Sequence, residues 1–371
     1  MCSGSGPSLS VAVVGGGVAG VAAAQALADA GMPACLYERA ESLGGRLGAT
    51  EFEGQDLVLG MGCSYIKAKD NEFAAQCERW VQSGTLAAWA ANPHVINGPG
   101  QWASLPDAAD EVWYVGVPDM SAIATISDAA AGIEVRRGEE LFDANFDAGR
   151  WMVATTSASD DESLDMGAEA SVASHFHSHL ILAVPVDALS NVIDDRKLLD
   201  SALGRRRYKD FVKERVSAAF IFEGSLDLPF SFATITADAS AVTVAISESS
   251  RRSAAGVSQD AEKNQEVWVL QSATGWAKRA LDEELDLDVM ATKLLESFAA
   301  ALGRDVKSLP AVLASTASVW PYGDMDYAVP GGCVWREEIR LAMAGDWAFD
   351  GRVEGAWRSG RAAAQRVLQT V

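Results

Sequence analysis

The stretch from residue 11 to residue 48 constrains the fold more than any other part of the chain. It begins with an apolar run, residues 11–14, which predicts a buried strand. A glycine-rich turn then leads into an alanine-rich segment that predicts a helix over residues 18–30, ended by Gly31. Residues 34–37 predict a second strand, and Glu38 follows it directly. This order of strand, glycine turn, helix, strand and acid is typical of the βαβ unit that binds dinucleotides.

Each glycine of the turn has its own physical role in such a unit. Gly15 permits a tight turn, Gly17 lets the backbone approach a pyrophosphate, and Gly20 lets helix and strand pack closely. The first helical residues, Val18 and Ala19, offer unpaired N–H groups and the positive end of the helix dipole. The turn and the start of the helix are therefore predicted to hold a pyrophosphate.

The residues around the end of the second strand indicate which dinucleotide binds. Glu38, with Arg39 beside it, is placed to bind a ribose hydroxyl, and its charge would repel a 2′-phosphate. The pair Gly44 and Gly45 allows close backbone approach, and Arg46 brings a fixed charge suited to a diphosphate. This spacing resembles the extended FAD signature of the flavin amine oxidase superfamily. The resemblance implies that FAD is the cofactor.

A second predicted cofactor segment lies near the end of the chain. Residues 341–344 predict a buried strand, after which Asp346 is placed to accept a hydrogen bond from a ribityl hydroxyl. A helix running to about residue 368 is predicted to begin with Glu354, Gly355 and Ala356, with its N-terminus facing the flavin pyrimidine edge. The pattern lies where the same superfamily has its second FAD motif. The alternative is a C-terminal helix that only covers the sheet.

The middle of the chain predicts a separate, mainly antiparallel sheet. Its candidate strands are partly alternating and rich in β-branched and aromatic residues, at 218–222, 232–236, 241–246 and 266–272. Residues 285–302 predict an amphipathic helix. We predict an α/β fold with a doubly wound Rossmann-type FAD domain and an inserted antiparallel-sheet substrate domain. The predicted FAD domain comprises residues 1–82, 118–196 and 311–371, and the substrate domain comprises 83–117 and 197–310.

The composition of the chain limits the kinds of partner that it is expected to bind. The chain has 371 residues, of which 49% are hydrophobic, so it can bury large cores in two domains. A net charge of −21 disfavours nucleic acid and anionic membrane surfaces. No apolar run approaches the ~20 residues of a membrane span, the five cysteines have no paired spacing, and the first residues lack a secretory signal. We therefore expect a cytoplasmic protein that acts on a small molecule.

Further segments, with the two FAD motifs, resemble the renalase group of FAD oxidoreductases. These segments are residues 62–66, 73–80, 84–89, 113–121 and 268–272, together with Trp276. The resemblance implies non-covalent FAD and a dihydronicotinamide dinucleotide in an isomeric form as substrate. It implies that hydride passes to flavin N5 and then to molecular oxygen, giving hydrogen peroxide. Two alternatives are a flavin amine oxidase or desaturase-type dehydrogenase, and a non-catalytic scaffold with the same fold.

The candidate residues of the substrate pocket are aromatic. Tyr65, Trp320 and Tyr322 are the candidate aromatic walls, and core packing is the alternative for each. Hydride transfer to a flavin needs no general base, in keeping with the lack of a Ser-His-Asp or paired-carboxylate pattern. The chain departs from polar or charged residues of the renalase pattern at Gly60, Gln271, Ser318, Val319 and Pro321.

Three other features have an alternative functional interpretation. His175, His177 and His179 would share one face of a strand and offer metal ligands, but no cysteine or fourth histidine lies nearby, so we predict no metal. Cys333 is predicted to be structural. A basic cluster offers an anionic substrate site or a solvated helix face; its residues are Arg205, Arg206, Arg207, Lys209, Lys213 and Arg215.

Overall fold

The computed structural model describes residues 10–48, 50–52, 57–105, 111–126, 132–157, 172–185, 188–189, 213–238, 240–257, 264–324, 329 and 331–371. The chain forms two compact units. Unit 1 comprises Met1–Gly45, Ala124–Phe211 and Met325–Val371, and unit 2 comprises Arg46–Ile123 and Val212–Asp324. The domain boundaries given above stay a prediction. They differ from this division mainly in residues 46–82, which belong to unit 2.

Six α-helices lie within the described residues: α1 (Val18–Asp29), α2 (Asn71–Gln82), α3 (Glu248–Ala254), α4 (Thr274–Asp282), α5 (Leu287–Ala301) and α6 (Val353–Leu368). The strands of unit 1 are β1 (Val11–Val14), β2 (Ala34–Glu38), β10 (Ile133–Arg137), β11 (Glu139–Asp147), β12 (Arg150–Ser157), β13 (Ala173–His177), β14 (His179–Leu182), β20 (Val334–Arg336) and β21 (Leu341–Met343). Those of unit 2 are β3 (Thr50–Glu51), β4 (Val58–Leu59), β5 (Ile66–Lys67), β6 (Leu86–Ala88), β7 (Pro93–Gly98), β8 (Gln101–Ser104), β9 (Trp113–Gly116), β15 (Lys213–Glu223), β16 (Phe232–Ile235), β17 (Val242–Ser247), β18 (Gln265–Ser272) and β19 (Val312–Asp324).

The main sheet of unit 1 has the strand order β10-β2-β1-β14-β21-β20. The first five strands are parallel, and β20 runs antiparallel to β21. Strands β1, β2, β14 and β21 are buried along their whole length, as expected for a parallel sheet covered on both faces. Because these four strands share one direction, the loops after them lie at the same edge of the sheet.

Two helices of unit 1 match the sequence predictions and pack on each other. Helix α1 ends at Asp29, and Gly31 has a positive φ of 76° that only glycine adopts readily. Helix α6 ends at Leu368, as predicted. A Cβ atom at Gly360 would overlap the carbonyl oxygen of Ala19, so this glycine lets α6 lie directly against the first turn of α1.

The large sheet of unit 2 has the order β19-β15-β18-β17-β16-β7-β8 and is antiparallel except between β16 and β7. The four strands and the helix predicted for this region are confirmed as β15, β16, β17, β18 and α5. One face of the sheet packs on α4 and α5, with Phe220, Trp268 and Phe298 in the core. On the opposite face a smaller apolar cluster covers one end of β15 and β18; it contains Phe52, Leu59, Met61, Ala219, Ile221, Val267 and Val269.

Among the described helices, none is both long enough and apolar enough to cross a bilayer.

Candidate cofactor and substrate sites

The turn after β1 has the backbone geometry that its glycines predict. Gly15 has a φ of 102°, and a Cβ there would lie 2.5 Å from the carbonyl oxygen of Ala183. A Cβ at Gly20 would overlap the carbonyl oxygen of Gly15, so close packing requires glycine at both positions. Gly17 differs, because no described heavy atom lies within 4 Å of its Cβ position. The turn is therefore closely packed at Gly15 and Gly20, whereas the space at the Cβ position of Gly17 is open among the described residues.

The N-terminus of α1 is suited to an anion. Gly17 is its N-cap residue, and neither a side-chain cap nor an acidic residue is present in its first turn. The first N–H groups of a helix have no partner within the helix. Together with the helix dipole, the N–H groups of Val18, Ala19 and Gly20 form a positive site next to the open space at Gly17.

Glu38 closes the same turn from the end of β2. Its side chain is 9% exposed. One carboxylate oxygen, Oε2, accepts from the N–H of Gly16 at 2.6 Å, and Oε1 accepts from the N–H of Ala40 at 2.8 Å. An ionised carboxylate oxygen has two acceptor directions, so each oxygen can still accept from a ribose hydroxyl. The next residue, Arg39, is exposed.

The second glycine pair lies directly against the first glycine turn. The N–H of Gly44 donates to the carbonyl oxygen of Gly16 at 3.0 Å, and Gly44 forms an isolated parallel bridge with Gly17. A Cβ at Gly45 would lie 3.5 Å from the Cα of Gly17, and its φ of 53° favours glycine. Two motifs that are far apart in sequence thus form one backbone cradle in unit 1. Arg46, the next residue, is the first residue of unit 2.

The segment around Asp346 is held by hydrogen bonds within unit 1. Asp346 is 7% exposed, and its Oδ1 accepts from the N–H of Trp347 at 3.0 Å. The Ser359 hydroxyl accepts from the N–H of Gly345 at 3.0 Å and donates to the carbonyl oxygen of Gly332 at 2.6 Å. Sequence reasoning missed the buried Ser359, since a serine within a predicted helix has no distinctive signal.

The start of α6 resembles that of α1 in lacking a side-chain cap, but its first turn contains the acidic residue Glu354. Arg352 is its N-cap residue and has no side-chain capping bond. Glu354 is 9% exposed, and its Oε1 lies 3.7 Å from Nη1 of Arg358, which is one helical turn later in the sequence. A Cβ at Gly355 would lie 2.8 Å from Asp350 Oδ1, so the first turn is closely packed there. Gly360, the contact to α1, was also missed, although a glycine inside a helix is a signal of close packing.

In unit 2, two residues of the predicted pocket region meet at Gly62. The side-chain amide Nε2 of Gln271 donates to the carbonyl oxygen of Gly62 at 3.0 Å. A Cβ at Gly62 would overlap the carbonyl oxygen of Arg46 and would lie 3.4 Å from Cη2 of Trp320. The indole of Trp320 therefore packs on the Gly62 backbone with Gln271 beside it.

The other predicted pocket aromatics differ from Trp320. The ring of Tyr65 stacks on Trp113 with centroids 4.4 Å apart and meets Phe232 edge-on at 5.3 Å. This aromatic cluster supports core packing, the alternative interpretation of Tyr65. The side chain of Tyr322 lies outside the described part of the structure.

The prediction that three histidines share one strand face is wrong. His177 ends β13, which pairs with β12, whereas His179 begins β14, which pairs with β1. Ser178 separates the two strands, so the alternation that would align the histidines is broken. No group of three or more His, Cys, Asp or Glu side chains in the described residues is arranged to hold a metal ion.

Each of these histidines has its own hydrogen-bond partners. His175 Nε2 lies 2.8 Å from Arg136 Nη1. His177 lies between the hydroxyls of Ser10 and Tyr37, at 3.0 and 2.9 Å. His179 contacts the hydroxyls of Ser178 and Thr370, at 3.0 and 2.9 Å. Burial lowers the pKa of both His177 and His179 to about 4.

Two further sequence predictions concern Cys333 and the basic cluster. Cys333 is 6% exposed, and burial raises the pKa of its thiol, which agrees with a structural role. The residues Arg205, Arg206, Arg207 and Lys209 lie outside the described residues. Lys213 and Arg215 are half-buried and belong to β15 rather than to a helix.

Comparisons with known proteins agree with this architecture. Residues 13–79 match the family model of the NAD(P)-binding Rossmann-like domain. The structure is similar to that of a protein of Exiguobacterium sp. 255-15 provisionally assigned as a protoporphyrinogen oxidase, with a TM-score of 0.72 and 12% identity over 98% of this chain and 100% of that chain. It is also similar to putrescine oxidase bound to putrescine, with a TM-score of 0.64 and 13% identity over 98% of this chain and 100% of that chain.

These similarities concern the fold. The chain has a Rossmann-like α/β fold of the kind found in these oxidases, with mixed and antiparallel sheets, and the predicted fold class is confirmed. The resemblance to the renalase group stays a prediction.

Proposed function

We propose that the protein is an FAD-dependent oxidoreductase that holds FAD non-covalently and oxidises a small organic molecule. One observation carries the proposal: the hydrogen bond from Gly44 to Gly16, which joins the two glycine motifs beside the carboxylate of Glu38. No described heavy atom lies within 4 Å of the Cβ position of Gly17, so space for a ligand remains there. A dinucleotide pyrophosphate fits this cradle, because backbone N–H groups and the α1 dipole face it.

The other predicted ligands fit FAD by their chemistry. Glu38, with Arg39 beside it, would bind the adenosine ribose, and Gly45 and Arg46 would contact the diphosphate. Asp346 would accept from a ribityl hydroxyl. The N-terminus of α6, at Glu354, Gly355 and Ala356, would face the flavin with its positive dipole. No covalent link is needed, and the buried Cys333 is not proposed as one.

Bound FAD would supply a hydride acceptor at N5 and a route for the electrons to molecular oxygen, which would give hydrogen peroxide. The protein's own residues then have to bind and orient the substrate and exclude water from it. Trp320 is the best-supported wall residue of the three proposed, since its indole lies on the Gly62 backbone. Tyr65 and Tyr322 are proposed with it from the sequence. We propose isomeric dihydronicotinamide dinucleotides as substrates, a class that comes from the resemblance to the renalase group.

A second candidate function is oxidation of an amine. The similarity of the whole chain to putrescine oxidase favours it, since that structure contains bound putrescine. The two candidates share every proposed FAD contact and differ only in the substrate.

The cofactor proposal is tested by the visible spectrum of the purified protein. We expect a yellow protein with flavin absorbance, from which acid precipitation releases FAD into the supernatant. Colourless protein that takes up no added FAD would contradict the proposal. Anaerobic stopped-flow mixing then separates the candidates: isomeric dihydronicotinamides are expected to bleach the flavin faster than ordinary β-NADH, whereas bleaching only by primary amines or polyamines would favour the second function.

A further inference from the structure

A row of polar side chains crosses three strands of the large sheet of unit 2. In the strand register Ser217 of β15 lies opposite Gln271 of β18 on one side and Ser318 of β19 on the other. Directly paired residues of neighbouring strands point to the same face of a sheet. This face is the one on which Ala219 and Val269 pack with the small apolar cluster. The face is therefore apolar at Ala219 and Val269, where that cluster covers it, and polar in the neighbouring row, which contains Ser217.

The same face carries Trp320 one row further on. Trp320 is paired with Arg215 in the register, two residues from Ser217. Gln271 is held in place by its bond to the carbonyl oxygen of Gly62, on which Trp320 also packs. Gln271, Ser318 and Trp320 are half-buried, so they line a part of the face that is neither closed core nor open surface.

Two hydrogen-bond donors on this face have no acceptor among the described residues. Ser217 is 1% exposed, and its hydroxyl has no hydrogen-bond partner within the part of the chain that the structure describes. The buried Nε1 of Trp320 likewise has none there. Buried polar groups are nearly always satisfied in native proteins, so two unpaired donors on one sheet face fit a partner from outside the described residues. Each donor is complementary to an acceptor oxygen of a ligand.

The side chains of the face favour the same kind of ligand. The rows from Arg215 to Ala219 hold one cation and, among their described side chains, no acid. Arg215 Nη1 lies 3.5 Å from the hydroxyl of Thr243. The indole Nε1 of Trp320 can only donate, so a carbonyl or carboxylate oxygen brought to this face would meet a complementary partner there, whereas an ammonium group would not.

We propose that Ser217 and Trp320 bind a carbonyl or carboxylate oxygen of the substrate, with Gln271 as a positioning residue that fixes the Gly62 backbone beside them. The proposal rests on the proposed oxidoreductase function, of which it names the substrate class. It selects a substrate with an acceptor oxygen, such as a carboxamide or carboxylic acid, over a cationic amine.

Isothermal titration calorimetry of the purified protein, as isolated, tests this choice with three ligands that share one ring. Benzamide and benzoate carry an acceptor oxygen, and benzylamine carries an ammonium group. We expect benzamide and benzoate to bind at least tenfold more tightly than benzylamine. Tighter binding of benzylamine, or millimolar ligand giving no heat with all three, would overturn the proposal.

Two variants identify the donors. Ser217→Ala and Trp320→Phe each remove one donor while keeping most of the packing volume, and each is expected to weaken benzamide binding about three- to tenfold. Ser217→Ala is also expected to leave the melting temperature unchanged or to raise it, because it removes an unpaired buried hydroxyl. Ser315→Ala is the control, since Ser315 is exposed on the opposite face of the same strand.

The outcomes for the two proposals are distinguishable. Unchanged benzamide affinity in both variants would overturn the assignment of the donors, whatever the protein's colour. Because calorimetry does not depend on turnover, a protein that lacks flavin yet shows the expected ligand order would contradict only the proposed redox function.

Discussion

The carboxylate of Glu38 accepts a hydrogen bond from the backbone N–H of Gly16 at 2.6 Å. This bond connects the end of β2 to the glycine turn that follows β1, two strands that lie side by side. The carboxylate thus fixes the turn and is also the proposed ligand of the ribose. Its two roles are separable by experiment, because one affects the protein without FAD and the other affects only binding.

Replacing Glu38 is expected to weaken FAD binding and to destabilise the turn. Glu38→Ala removes charge-assisted bonds worth about 1.5–3 kcal/mol, which corresponds to a loss of about tenfold or more in FAD affinity. Glu38→Gln keeps an acceptor for Gly16 and is expected to lose less stability than Glu38→Ala. Fluorescence titration of the flavin-free protein and thermal melts measure the two effects. Glu140→Ala, an exposed site on β11, is the control, and equal affinities in all three variants would place the nucleotide elsewhere.

Gly17 and Gly20, the N-cap residue of α1 and a residue of its first turn, can be compared by the same substitution to alanine. Gly20→Ala is expected to destabilise unit 1 by about 1–3 kcal/mol, because the new methyl group would overlap the carbonyl oxygen of Gly15. Gly17→Ala meets no described atom, and Gly17 has an ordinary φ of −72°. Its cost in stability is therefore expected to be below about 1 kcal/mol, while FAD affinity falls because the methyl group occupies the proposed pyrophosphate space.

Denaturant melts and FAD titrations of both variants measure this difference. Similar losses of stability at the two positions would show that Gly17 is also constrained by packing. Undiminished FAD affinity in Gly17→Ala would show that the pyrophosphate does not approach the backbone there.

A buried ion pair in unit 2 gives a prediction about stability alone. Glu248 and Arg251 are 0% and 2% exposed, and Arg251 Nε donates to Glu248 Oε2 at 2.7 Å. Arg251→Met leaves a buried carboxylate without its partner and is expected to cost about 3–5 kcal/mol. The double variant with Glu248→Gln is expected to recover part of this loss, because neither buried charge then remains.

The exposed pair of Lys278 and Asp282, 3.4 Å apart, is the control for that series. Lys278→Met is expected to change the free energy of unfolding by less than about 1 kcal/mol. Urea denaturation of the unsubstituted protein, Arg251→Met, the double variant and Lys278→Met measures the free energy of unfolding of each. A double variant less stable than Arg251→Met would contradict the explanation by unpaired charge.

The local sequence predicts the first βαβ unit well, and the reason is physical. The turn at Gly15, the helix start at Val18 and the cap at Gly31 each depend on neighbouring residues, so their signals are contiguous in the sequence. Helix α5 is predictable for the same reason, since its apolar period repeats over its length.

Features that depend on distant pairing were not predictable. The convergence of Gln271 and Trp320 on Gly62 follows from the register of β15, β18 and β19, which no local pattern sets. The switch of the chain between two sheets at Ser178 likewise separates His177 from His179, although alternation alone would align them.

The buried histidines predict how stability depends on pH. His177 and His179 have pKa values of about 4 in the folded protein, against about 6.5 in an unfolded chain. Between these values the unfolded state binds protons that the folded state does not, so the free energy of unfolding decreases as pH falls. It is expected to be unaffected by these groups above about pH 6.5 and to fall toward pH 4 by at most about 1.4 kcal/mol per pH unit for each histidine. Urea titrations at pH 7.5, 6, 5 and 4.5 measure the slope, which is expected to be smaller in the double variant His177→Gln and His179→Gln. Carboxylates titrate in both proteins and cancel in the comparison, so identical slopes would show that protonation of these two histidines does not limit acid stability.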